Sequence, residues 1–182
     1  MSQPVTVSAT AAWAPALCGD TALLETAYFT LKIPVHPHVP ACDGGHLFLE
    51  VNDPAVSDRT ELAGPAATEC MWLTMLAGEA MAEVLPSHGI DLYRINYQDN
   101  GNWSFLRGER PRMHIHLYGR ARDEASQTFG QALFFPDPRD GRYGTFEPID
   151  PQIGREIAAR MEALAAEPRY AWHKPSYLAR PA

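Results

Sequence analysis

From Arg112 to Tyr118 the chain reads Arg-Met-His-Ile-His-Leu-Tyr, a strict alternation of chemically active side chains with plain apolar ones. Successive side chains of an extended strand point to opposite faces, so Met113, Ile115 and Leu117 form one row and Arg112, His114, His116 and Tyr118 the other. A segment of this kind fits only a sheet that buries one face on a core and keeps the second face for another purpose. The chain has material for that core: 182 residues, 46% hydrophobic and 20% charged, suit one globular domain and lack the composition of disorder.

The rest of the chain supplies partners for this strand. Thr26 to Ile33, rich in aromatic and branched residues, reads as a strand ended by Pro34, and a Pro-bearing loop follows through His36, His38 and Cys42 to Gly44-Gly45. His46 to Val51 alternates again, with Leu47, Leu49 and Val51 opposite His46, Phe48 and Glu50. Pro65 to Leu85 carries Leu73, Leu76, Ala77, Ala80, Met81 and Val84 at helical spacing, with Pro65 or Thr68 to start the helix and Pro86 to end it. Asp91 to Tyr97 is a further strand, before the turn Asp99-Asn-Gly-Asn102, and a shorter one is expected at Gln131 to Phe135. Asp150-Pro151 opens a late helix whose stripe is Ile153, Ile157, Met161 and Leu164, closed by Pro168. These elements predict an α+β domain, an antiparallel sheet with a central and a C-terminal helix packed on it, over residues 21–168. An N-terminal arm, 1–20, and a C-terminal tail, 169–182, flank it.

Charge and cysteine content narrow the function. Fifteen basic against 22 acidic residues, a net charge of −7, argue against broad phosphate neutralisation of duplex nucleic acid, though a few local donors suffice for a small anion. Cys18, Cys42 and Cys70 are widely spaced and form no Cys-x-x-Cys pair, so they suggest reduced thiols and no thiolate zinc site. No segment approaches the roughly 18 consecutive apolar residues of a membrane span, and Met1 to Ala16 has neither a basic start nor an apolar block. A soluble, cytoplasmic protein is the expectation.

Two imidazoles at i and i+2 beside a guanidinium favour function over chance placement on a solvated face. One reading is a metal site, with His36 and His38 as a second pair. It lacks a carboxylate at an evident ligand spacing, and Arg112 would set a fixed positive charge beside the cation. The other reading is nucleophilic catalysis at phosphorus, where a neutral imidazole attacks and a second histidine, an arginine and nearby amides hold the developing charge. It needs no metal and no redox cofactor.

His114-Ile-His116-Leu-Tyr-Gly, preceded by Gln98-Asp-Asn-Gly101 and by Gly44-Gly45-His46-Leu-Phe-Leu, resembles the histidine triad (HIT) superfamily of nucleotide hydrolases and transferases. The resemblance spans about Glu25 to Arg120. It implies a HIT-like α+β fold, a homodimer, and nucleotidyl transfer through a covalent histidine intermediate, on a substrate such as diadenosine tetraphosphate or a nucleoside phosphoramidate. By position it makes His114 the nucleophile, His116 the partner that hydrogen-bonds the phosphate or leaving group, His46 a neighbour of the α-phosphate, and Asn100, or Asn102, a polar contact to the same group. Arg112 stands where the family has its first histidine, and is expected either to bind phosphate or to weaken activity. The alternative implied by that departure is a nucleotide-binding module with weak or lost catalysis. Trp103 to Pro111 is longer and more charged than the family's short turn. Asp43 lies near the region of the family's ribose-binding acid, in a Pro-containing loop of different length. His36 and His38 are expected to be exposed, and Trp72 and Tyr118 to pack.

Overall fold

The computed structural model describes residues 19–173. Five strands, β1 (Thr21–Glu25), β2 (Phe29–Ile33), β3 (His46–Val51), β4 (Leu92–Gln98) and β5 (His114–Ala121), form one antiparallel sheet in the order β1-β2-β3-β5-β4. The helices are α1 (Gly64–Val84), the short α2 (Asn102–Leu106) and α3 (Pro151–Ala165). The expected α+β class is observed.

The two histidine-bearing strands meet in the middle of the sheet. β3 and β5 pair with His46 opposite Tyr118, Phe48 opposite His116 and Glu50 opposite His114. The apolar rows predicted for them, Leu47, Leu49 and Val51 with Met113, Ile115 and Leu117, lie in one core with Leu73, Leu76 and Met81 of α1 and Ile157, Met161 and Leu164 of α3. Both main helices therefore cover one face of the sheet, and the imidazoles are left on the other. Pro65 stands in the first turn of α1, where its missing N–H is not needed. The side chain of Asp150 accepts from the Gln152 N–H and starts α3 as expected.

A crossing of two glycines sets the register of β3 on β5. The Gly119 N–H donates to the Gly45 carbonyl at 2.9 Å. Gly44 takes φ +119°, and a Cβ on Gly119 would stand 1.9 Å from the Gly44 carbonyl oxygen. Only bare backbone fits there.

Three expectations are corrected. β1 was not foreseen, and the strand expected from Thr26 begins only at Phe29, because Thr26 closes a turn in which its N–H donates to the Phe29 carbonyl. Gln131 to Phe135 is irregular: the Gln127 side chain takes the place of a neighbouring strand, its amide accepting from the Phe134 N–H and donating to the Phe134 carbonyl. β5 begins at His114, two residues later than the alternation. The core also continues past Pro168, for Tyr170 is buried and its carbonyl accepts from the Trp72 indole at 2.9 Å. The arm up to residue 18 and the tail from residue 174 lie outside the described residues. No helix among the described residues is long and apolar enough to cross a membrane.

Candidate active site

Four imidazoles gather on the sheet face away from α1 and α3. His114 and His116 stand two apart on β5, His46 enters diagonally from β3, and the Pro37–Pro40 loop folds over them to bring in His38. Nε2 of His46 lies 2.8 Å from Nδ1 of His116, and Nε2 of His116 lies 2.9 Å from Nε2 of His114. Nδ1 of His114 lies 2.6 Å from the carbonyl oxygen of Arg112, while the His38 main-chain N–H donates to Nδ1 of His46 at 3.1 Å. His46 and His116 are only 1% and 6% exposed, whereas His114 and His38 are half-buried.

The two ends of this chain fix where the protons sit. A peptide N–H only donates, so Nδ1 of His46 is bare and its proton is on Nε2, donated to His116. His116 then carries its proton on Nε2 and donates it to Nε2 of His114. His114 in turn carries its own on Nδ1 and donates to the Arg112 carbonyl, which only accepts. Three neutral rings satisfy every contact. For the two buried rings, burial, reinforced by the other histidines of the group, holds His46 and His116 well below the ordinary histidine value, in agreement with their neutral form. Burial first, and then the proximity of the His114 imidazole, push His38 down to about 4.

Around His38 the site is aromatic. Its ring packs against Trp103 of α2 with centroids 4.9 Å apart and against Tyr143 at 5.1 Å, with Phe135 at 6.0 Å. Tyr118, fully buried and stacked on His116, places its hydroxyl 2.8 Å from Nδ1 of His38. Asn100 hydrogen-bonds that hydroxyl through its side chain and donates to Gln98 Oε1 at 3.2 Å. Burial raises the Tyr118 phenol pKa, so the hydroxyl keeps its proton.

The sequence-predicted residues are distributed as follows. His46, His114 and His116 converge. Asn100 reaches the network only through Tyr118, and Asn102 is exposed at the start of α2. The Arg112 guanidinium donates to the carbonyls of Val51 and Asn52, both at 2.9 Å, and pairs with Glu50 at 3.4 Å; its contribution to the imidazole chain is its own carbonyl. Asp43 is a clip for the loop after β5, its carboxylate accepting from the N–H groups of Ala125 and Ser126 and from the Ser126 hydroxyl. Burial works to raise its pKa, and these hydrogen bonds outweigh it. In the charged Trp103 to Pro111 segment, Arg110 pairs with Glu61 at the surface and Arg107 with Glu109.

His38 is the correction that matters most. It was expected to be exposed, as His36 is. The His36-Pro-His38 pair was visible in the sequence, but nothing in it showed that the loop folds back on β3. Tyr118 does pack as expected, and its hydroxyl is in addition a member of the network.

Ring nitrogens of His38, His46 and His116 lie within 4.8 Å of one another, a grouping able to hold a metal ion. The donor set fits such an ion poorly. With Nδ1 of His46 occupied by the His38 N–H, binding through Nε2 would require an imidazolate. Among the described residues no carboxylate joins the set either: Glu124 is committed to Arg120 and Asp43 to its loop.

Solved structures similar to this chain include several histidine triad proteins. A histidine triad protein from Marinobacter aquaeolei VT8 matches 80% of this chain and 88% of its own at 14% identity, with a TM-score of 0.52. One from Sinorhizobium meliloti 1021 matches 79% and 88% at 15% identity, with a TM-score of 0.52. The chain has the histidine triad fold. A Zn-bound histidine triad family protein from Mycobacterium smegmatis (15% identity, 82% and 88% covered, TM-score 0.51) shares it. No family model and no curated protein matches the sequence. Within the histidine triad fold, β5 here and the two residues before it read Arg-x-His-x-His.

Proposed function

We propose that this protein is a nucleotide hydrolase or nucleotidyl transferase that works through a covalent nucleotidyl–His114 intermediate, on a dinucleoside polyphosphate or a nucleoside phosphoramidate. The observation that carries this reading is the setting of His114. Its Nδ1–H is held by the Arg112 carbonyl at 2.6 Å, which leaves Nε2 as the only basic nitrogen and points it at His116. A phosphoryl group entering between the two rings takes over the His116 N–H, frees the Nε2 lone pair for attack, and finds His46 directly behind. As the N–P bond forms, the positive charge on His114 is stabilised through the same Nδ1–H.

Incubation with diadenosine tetraphosphate and adenosine 5′-phosphoramidate, quenched in alkaline denaturant and followed by intact mass, should show an adenylyl adduct that His114→Ala removes. Turnover in that variant should fall about a thousandfold or more. Unchanged turnover would sink the assignment of His114.

A second reading, a nucleotide-binding module with lost catalysis, is favoured by one observation. Arg112 occupies the first triad position and directs its guanidinium to the Val51 and Asn52 carbonyls, so it does not stand in for an imidazole. Calorimetric nucleotide binding without adduct or turnover would select that reading. We extend the proposal to a homodimer, supported by the open edge of β4, where exposed Tyr97 and Met75 of α1 line one groove.

A further inference from the structure

The imidazole chain has no room for another proton. One end is the His38 amide, which cannot accept, and the other is the Arg112 carbonyl, which cannot donate. Protonating His46 at Nδ1 would set an N–H against the His38 N–H. Protonating His116 at Nδ1 would oppose it to His46 Nε2–H, and protonating His114 at Nε2 would oppose it to His116 Nε2–H. Moving protons along the chain only shifts the conflict to another contact. Removing one leaves an imidazolate.

Resting on the proposed transfer to His114, we infer that the His38 main-chain amide, by capping His46, restricts the site to phosphoryl substrates whose leaving group departs as an oxyanion. His116 donates a hydrogen bond to the phosphoryl group but gives up no proton, because His46 cannot replace it. In the first step the Nε2 lone pair of His114 forms the N–P bond, the P–O bond to the leaving group breaks, and its electron pair stays on that oxygen. In the second step water forms a new O–P bond, the N–P pair returns to Nε2, and the water proton passes to bulk solvent. A phosphate or polyphosphate leaving group satisfies the first step unaided. The nitrogen of a phosphoramidate does not, since it must be protonated to leave. His38 is thus a positioning and specificity-determining residue that acts through its backbone.

The test is a leaving-group series on the full chain: adenosine 5′-phosphate aryl esters of increasing phenol pKa, diadenosine tetraphosphate, and adenosine 5′-phosphoramidate. The rate of His114 adenylylation is expected to fall by roughly tenfold for each unit rise in leaving-group pKa, with the phosphoramidate slowest. A rate independent of the leaving group, or faster turnover of the phosphoramidate than of the 4-nitrophenyl ester, overturns the inference while leaving the His114 intermediate intact. Absence of adduct with every member removes the proposed function and the inference together. His38→Pro deletes the capping N–H and is expected to raise the phosphoramidate-to-aryl-ester rate ratio at least severalfold. His38→Ala, which keeps the N–H, should hold the wild-type ratio. A proline variant that folds with an unchanged ratio contradicts the role of the amide, and the wild-type series decides should that variant fail to fold.

Discussion

Two rings on the same strand, His114 and His116, differ in what their neighbours leave them free to do. His116 has both nitrogens engaged by imidazoles and is almost fully buried, while His114 is anchored by a carbonyl on one side and meets only a displaceable N–H on the other. Tyr118 and His38 lie one step outside this chain, and that separation is testable. Tyr118→Phe removes the hydroxyl that meets His38 Nδ1, leaving a half-buried ring nitrogen without its partner, so stability should drop by about 1 to 3 kcal/mol in urea unfolding. The leaving-group dependence should stay as it is, because no contact of His46, His116 or His114 involves that hydroxyl. The three convergent histidines were legible in the sequence because alternation alone assigns a face. His38 was not, because its place depends on a backbone N–H, and a sequence pattern carries no information on where a main-chain donor points.

Among the elements, strands with a clean period of two and helices with proline at the start were readable, and β1 was not. Its Thr21, Ala22 and Leu23 lie at the solvent edge of the sheet, where burial imposes little alternation. The stretch around Phe134 failed for a different reason. It has strand-like composition, but the Gln127 amide satisfies it from the side, so no ladder forms. The element most critical to the site is the contact between the Gly44-Gly45 turn and β5, since it brings His46 against His116. Gly119→Ala would drive a methyl group to 1.9 Å from the Gly44 carbonyl oxygen, a backbone atom that cannot swing aside. We expect a loss of about 3 kcal/mol or more in chemical denaturation, with lost adenylylation in whatever folded fraction remains. Gly89→Ala is a control for backbone strain alone, since that glycine also has a positive φ but open space around it. It should cost about 1 kcal/mol.

At the scale of the whole molecule, one sheet face stores three histidines in neutral form, and acid sensitivity follows. His38, His46 and His116 all have folded values lowered below the ordinary 6.5, chiefly by burial. In the unfolded chain they take up protons as the pH falls through about 6.5, while the folded protein does not, so the unfolded state binds more protons and stability drops. The stabilisation is full above pH 6.5, and the His38 share is lost progressively until the pH passes its folded value of about 4. With all three rings contributing, the slope between about pH 5.5 and 4.5 should approach 4 kcal/mol per unit, as an order of magnitude. Asp43, whose folded value is lowered, adds loss only below its ordinary 3.8, outside this window. Urea unfolding at pH 7.0, 5.5, 5.0 and 4.5 measures the slope. His38→Asn should reduce it by about one proton's worth, roughly 1.4 kcal/mol per unit. A stability curve flat from pH 6.5 to 4.5 would mean that the rings are charged in the folded protein, and it would remove the proton directions on which the oxyanion restriction depends.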